Sequence, residues 1–140
     1  MYLTRTTLRL IPLLLGLMSA GCRSDSKPLE TLHKAIWRPV GTWSGRSGIQ
    51  TESFELGGQW RIRWEARDET SPGAGHLRIS VNSAVSGRPL MLAVDHRGIG
   101  RDTVAVTEDP HLFYLVIDSS NLDWSVTAEE PVAADTGNTR

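Results

Sequence analysis

Three aspartates near predicted turns are the first residues of this chain whose chemistry could support catalysis. Asp102, Asp118 and Asp123 each lie near the end of an alternating segment. Two carboxylates converging in a cleft could hydrolyse a glycosidic bond, but such side-chain oxygens also cap turns. Their spacing selects neither catalysis nor a calcium-binding loop. The sequence therefore predicts no catalytic residue and no enzyme, and a sugar hydrolase remains the alternative.

The histidines give no stronger signal. They are scattered, without the HxH or HExxH spacing of a metal site: His33, His76, His96 and His111. The pair Asp95-His96 could suggest acid–base chemistry, but neighbouring residues of a strand point to opposite faces. We therefore predict neither a metal nor a cofactor.

The five tryptophans suggest a binding role instead. Trp60, Trp64 and Trp124 lie on apolar faces of predicted strands and are expected in the core. Trp37 and Trp43 precede the first clear strand, so either indole could stack on a sugar ring or dock on a partner. The competing interpretation is that they close the end of the folded domain.

Residues 59–68 give the clearest alternation in the chain. Trp60, Ile62, Trp64 and Ala66 face one way, and Arg61, Arg63, Glu65 and Arg67 face the other. This pattern predicts a strand with one buried and one solvated face. The row Arg61, Arg63 and Arg67 is either a solvated face or a contact surface for an anion or a protein.

Similar short alternating segments recur along the chain and predict about eight strands. Turn residues separate them, which is typical of an antiparallel sandwich. The predicted fold is therefore an all-β, jelly-roll-like β-sandwich. Gly57-Gly58 predicts a tight hairpin, and residues 111–117 predict a central strand buried on both faces. A short helix over residues 28–37 is also expected from the spacing of Leu29, Leu32 and Ile36.

The N-terminus has the order of an export signal. Arg5 and Arg9 precede an apolar run at residues 10–18, and small residues follow. The run is too short for a membrane-spanning helix, which needs about 20 residues.

The segment Ala20-Gly21-Cys22 resembles the lipobox of bacterial lipoproteins, although Ser19 stands where that family more often has Leu. The resemblance implies cleavage before Cys22, which then carries the lipid. Because Arg23 follows the cysteine, the outer membrane is implied if the host is Gram-negative. A plain export signal with Cys22 as a bystander is the alternative.

Composition limits the remaining classes. Residues 1–21 hold two arginines and no acid, which leaves 13 basic and 16 acidic residues in the rest of the chain. No basic excess indicates nucleic-acid binding. We predict a signal peptide at 1–21, a lipidated cysteine and linker at 22–36, the β-sandwich at 37–129 and a disordered tail at 130–140.

Several stretches resemble small secreted or lipid-anchored bacterial β-sandwich domains. The stretches are Trp43 to Gly48, Thr51 to Phe54, Trp60 to Trp64, Phe113 to Ile117 and Trp124 to Val126. The resemblance covers about residues 40–128 and implies a fold without an assigned activity.

The sequence thus predicts an exported, membrane-anchored lipoprotein of the cell envelope with a non-catalytic binding domain. Its expected partners are the membrane, through the lipid, and an envelope protein or glycan. A hydrolase of envelope sugars and a structural subunit of an envelope complex are the alternatives.

Overall fold

The computed structural model of the protein describes residues 35–109 and 111–132. Over these residues the chain forms nine β-strands and no helix. The strands are β1 (Ile36–Gly45), β2 (Ile49–Gln50), β3 (Phe54–Leu56), β4 (Gln59–Arg67), β5 (His76–Ser83), β6 (Pro89–Arg97), β7 (Gly100–Thr107), β8 (His111–Ser120) and β9 (Asp123–Val132).

The strands form two antiparallel sheets that pack together. The front sheet has the order β1-β9-β4-β7, and the back sheet has the order β2-β8-β5-β6, with β3 also paired to β8. Since β2 and β3 pair with successive parts of β8, they act as one interrupted strand. The pairing is then nested: β1 with β9, β2 and β3 with β8, β4 with β7, and β5 with β6. With β2 and β3 counted as one strand, two sheets of four strands each in this arrangement form a jelly roll, as predicted.

The core lies between the sheets and is built from the inward positions of each strand. Trp60, Trp64 and Trp124 expose at most 6% of their surface, which confirms their predicted place in the core. Phe54 meets Trp60 edge to face, with ring centroids 5.7 Å apart, and Trp60 lies 5.3 Å from Phe113. These aromatic contacts join the two sheets, because Trp60 belongs to β4 and both phenylalanines belong to the back sheet.

Two local predictions were wrong. Gly57-Gly58 does not close a hairpin, because β3 pairs with β8 and β4 pairs with β7 and β9. The two glycines instead carry the chain from the back sheet to the front sheet. Strand β8 is central but not buried on both faces: Phe113 and Leu115 are fully buried, whereas Leu112 is 43% exposed.

The ends of the domain also differ from the prediction. Ile36 pairs with Val132, so β1 begins one residue early and β9 runs three residues into the segment assigned to the tail. Arg38 also forms an ion pair with Glu130. The helix predicted over residues 28–37 is wrong at Ile36 and Trp37, which lie in β1, and Ala35 has no regular secondary structure. Residues 28–34, Cys22 and residues 133–140 lie outside the described residues.

Candidate binding face

A β-bulge in β1 decides which tryptophan faces solvent. Trp37 and Trp43 are six residues apart, so strict alternation would place both on one face. The register with β9 shifts between Pro39 and Gly41, and Val40 has no partner in it. One extra residue reverses the alternation. Trp37 therefore points to the solvent side of the front sheet and Trp43 to the core side.

Trp43 closes the edge of the sandwich between β1 and β3. Its ring lies 5.5 Å from that of Phe54. Its Nε1–H donates a 3.0 Å hydrogen bond to Glu52, and this bond lowers the pKa of the Glu52 carboxyl below its usual value. The indole covers Gly41, where a Cβ would collide with the ring. Trp43 thus takes the closing position that was one of its two predicted roles, away from Trp37.

Trp37 belongs to a compact group on the solvent side, which we call the Glu129 cluster: Trp37, Arg61, Arg63 and Glu129. The Arg61 guanidinium carbon lies 4.1 Å from the centroid of the Trp37 ring. Arg61 Nε donates a 2.6 Å hydrogen bond to one Glu129 oxygen. The other Glu129 oxygen lies 3.1 Å from Arg63 Nη2. Three of the five residues predicted for binding are therefore brought together, around a carboxylate that the prediction did not include.

The Glu129 side chain is only 5% exposed, although it stands on the solvent side of the sheet. Removing a carboxylate from water is costly unless partners replace its hydration. Two guanidiniums do so here, and because they share one carboxylate the cluster carries an excess positive charge. Arg63 keeps 60% of its side chain exposed, so its remaining donors face solvent.

A polar depression of about 380 Å³ adjoins the cluster. Its lining residues come from β4, β7 and β9: Arg63, Trp64, Glu65, Arg101, Asp102, Thr103, Ser125 and Thr127. Arg63 lies between Thr127 of β9 and Thr103 of β7 in the register. The depression therefore offers hydroxyl, guanidinium and carboxylate groups together, which suits a ligand that both donates and accepts hydrogen bonds.

The solvent side of the front sheet, here called the front face, is ordered in rows across the strands. The first row holds Trp37 and Pro131, the next Arg61 and Glu129, and two polar rows follow. From Pro131 to Ser125 is six residues of β9, or about 20 Å at 3.4 Å per residue. An extended ligand along β4 and β9 could contact the indole at one end and the depression at the other.

Arg67 lies on the same face but not in the cluster. It is six residues from Arg61 along β4, opposite Asp123 of β9. Its Nε lies 3.7 Å from Asp68, and Asp123 is held by Arg46 Nη1 at 2.6 Å. The row of three arginines predicted as one surface therefore divides into a cluster of two and a separate residue.

The carboxylates considered for catalysis are dispersed. Asp118 belongs to the back sheet, whereas Asp102 and Asp123 belong to β7 and β9, on opposite sides of β4. Asp95 contacts His76 rather than its neighbour: His76 Nε2 lies 2.7 Å from Asp95 Oδ1, and this hydrogen bond lowers the pKa of Asp95. No catalytic pair of the kind considered from the sequence is formed by these residues.

The described residues offer neither a metal site nor a membrane-spanning helix. Within 35–109 and 111–132, no group of three His, Cys, Asp or Glu side chains could hold a metal ion. The same ranges contain no helix long and apolar enough to cross a membrane.

Sequence reasoning missed Glu129, Thr127, Arg101 and Thr103. The alternation that buries Val126 and Ala128 already implied that Thr127 and Glu129 face outward. What the pattern lacked was the register, because only strand pairing places Glu129 opposite Arg61. Arg101 and Thr103 likewise join the face through β7, a strand distant in sequence.

Comparison with known proteins gives little beyond this geometry. No protein-family model and no curated protein matches the chain. Among solved structures, it is similar to the CBM22-1 and GH10 modules of the endo-1,4-β-D-xylanase 10B of Clostridium thermocellum, complexed with xylohexaose. The identity is 11% and the TM-score 0.35, over 74% of this chain and only 27% of that chain. A likeness at this level carries no argument about a ligand.

Proposed function

We propose that the protein is a non-catalytic binding module that holds an oligosaccharide along the front face. The observation that carries the proposal is the Glu129 cluster beside the polar depression. Sugar rings present apolar C–H faces that suit an indole and hydroxyl groups that suit paired donors and acceptors. The front face supplies both, with Trp37 in the first row and Thr103, Ser125 and Thr127 in the depression.

The ion pairs support this proposal because they hold the binding groups in place. Arg61 is fixed between the Trp37 ring and Glu129, and Arg63 is fixed by the second Glu129 oxygen. Side chains that are already ordered lose less conformational entropy when a ligand binds. The cluster thus reduces a cost that flexible arginines on a solvent face would otherwise incur.

The N-terminal sequence supports attachment of this module to a membrane of the cell envelope. A lipidated Cys22 would hold the domain on a linker ending near residue 35, and tethering would raise its effective concentration for envelope glycans. Firm attachment needs more than one acyl chain. We expect Cys22→Ser to move the protein from the membrane fraction to the soluble fraction; unchanged fractionation would contradict the anchor. The outer membrane is the proposed location in a Gram-negative host.

The binding proposal is tested by titrating the intact protein, purified in detergent, with a panel of neutral and acidic oligosaccharides. Trp37→Ala should weaken binding about tenfold, since a lost stacking contact of about 1.4 kcal/mol corresponds to that factor. Trp43→Phe is the matched control, because Trp43 lies on the same strand but on its core side. No saturable binding to any oligosaccharide would refute the proposal and direct attention to a protein partner.

The depression does not supply the carboxylate pair that the alternative, an envelope-sugar hydrolase, would need. Glu65 lies on the solvent side of the front sheet, but Asp102 is paired with the core residue Trp64 and therefore points to the opposite side. A glycosidase needs two carboxylates near the scissile bond. We therefore expect no release of reducing ends from any oligosaccharide that binds, and release that Glu65→Gln abolishes would contradict a non-catalytic module.

A further inference from the structure

We infer that the ligand of the front face is an acidic sugar chain, one whose residues carry carboxylates as well as hydroxyls. This inference rests on the proposed oligosaccharide binding and adds the chemical class. Its basis is the juxtaposition of Arg63 and Arg101 around the depression.

Both arginines have hydrogen-bond donors that the described residues leave unused. A guanidinium has five N–H donors in a planar fork. Arg63 uses one edge nitrogen on Glu129 and is otherwise exposed. Arg101 forms no side-chain hydrogen bond and no ion pair with the described residues. Both guanidiniums are therefore available to a carboxylate, which a fork can bind through two parallel hydrogen bonds.

The two arginines are diagonal neighbours on strands β4 and β7. Arg63 lies opposite Thr103 in the β4–β7 register, and Arg101 lies two residues along β7 from Thr103. Such diagonal neighbours lie about 7–8 Å apart at Cα, within reach of long side chains. A carboxylate in the depression could therefore meet both guanidiniums at once.

The neighbouring carboxylates, Glu129 and Glu65, leave room for a carboxylate on the ligand. Glu129 is already shared by two arginines, so it does not neutralise Arg63 fully. Glu65 stands opposite Arg101 in the register but forms no ion pair with it. Glu65 can instead accept hydrogen bonds from hydroxyls, as Thr103 and Ser125 can. A carboxylate beside hydroxyls is what a uronic acid residue presents.

The test uses a galacturonate oligosaccharide of defined length and its methyl ester, which has the same sugar chain without the charge. The intact protein in detergent is titrated with each by calorimetry at low and moderate salt. The acidic form should bind about tenfold tighter, as expected for a gained charge-assisted contact. Only its affinity should fall as salt rises.

Variants assign the effect to the two arginines. Arg63→Gln and Arg101→Gln should each lower the affinity for the acid about tenfold and lower that for the methyl ester clearly less. Arg67→Gln is the matched control on the same strand and face, and it should change neither affinity.

The possible outcomes distinguish the acidic-sugar inference from the proposed oligosaccharide binding on which it rests. Equal affinity for the two forms, or tight binding of the acid that survives both substitutions, would overturn the acidic-sugar inference. So would binding of neutral oligosaccharides alone. If Trp37→Ala still weakens binding in those cases, the proposed function stands without the inference. If no oligosaccharide of either kind binds, both fall.

Discussion

The two solvent faces of the sandwich are built on the same alternation but hold different groups. The front face has the Glu129 cluster and its polar depression. The solvent side of the back sheet, here called the back face, exposes Leu92 at 51% and Leu112 at 43%. Its closest carboxylate contact, between His76 and Asp95, leaves Asp95 half in water. Among residues 35–109 and 111–132, a carboxylate buried under two partners is therefore found on the front face alone.

This difference supports the proposed binding role of the front face better than a role in stability. A buried ion pair is weak evidence for stability, because desolvation offsets much of the attraction. Both sheets already fill the core with well-buried apolar side chains. The front face nevertheless holds the Glu129 cluster in an ordered arrangement, whereas the back face is an ordinary mixture of apolar and polar residues.

Replacing the central carboxylate should have the largest effect. Glu129→Gln keeps the shape but leaves Arg61, which is 28% exposed, without its counter-charge. We expect a loss of about 2 kcal/mol of unfolding free energy, below the full cost of breaking a buried pair because both arginines reach water. Chemical denaturation of the intact protein measures it.

The matched control on the back face is Asp95→Asn. Asp95 is exposed, so its loss should destabilise the protein clearly less than Glu129→Gln does. If the two substitutions had equal effects, the contrast between the faces would be wrong.

Deleting Val40 should leave Trp37 on the front face, whereas Trp37→Ala should remove its contact. Residues 37–39 and 41–45 already pair with β9 in a register that needs no extra residue. Without Val40, unbroken alternation therefore keeps Trp37 on the solvent side and Trp43 on the core side. We expect only Trp37→Ala to lose the Trp37–Arg61 contact, about 1 kcal/mol, with the fold retained in both variants. Chemical denaturation and oligosaccharide titration measure the two effects, and full affinity in Trp37→Ala would show that Trp37 is not a contact.

Changes on the back face should have small effects. Leu92→Ser and Leu112→Ser should each alter the unfolding free energy by less than about 0.5 kcal/mol, as is usual for surface sites. Neither should change oligosaccharide affinity. A tenfold loss of affinity in either variant would move the binding site to the back face.

The smallest effect is expected at Glu52, away from both faces. Its lowered pKa means that ionised Glu52 favours the folded state; this contribution is present at neutral pH and is lost as pH falls through the folded-state pKa. Trp43→Phe removes the N–H donor, so the pKa should rise towards its usual value. An NMR titration of the carboxyl measures the change, and an unchanged pKa would contradict the role given to Trp43.

The alternation was enough to predict the sandwich, its aromatic core and the solvent side of β4, because period two fixes the face of each residue. It failed at β1, where Pro39 precedes a bulge that no alternation reveals. The hairpin prediction at Gly57-Gly58 also failed, because two glycines in the sequence suit a turn within one sheet and a crossing between two sheets equally well. The Glu129 cluster needed the register of β4 with β9, which joins residues 68 positions apart.

The central claim, that ligand binds on the front face, is tested most directly by an NMR titration of the intact protein in detergent with an oligosaccharide that binds. We expect shifts of the Trp37 indole N–H and of backbone amides in β4, β7 and β9, with the Trp43 indole unchanged. Shifts concentrated on β5, β6 and β8 would contradict it.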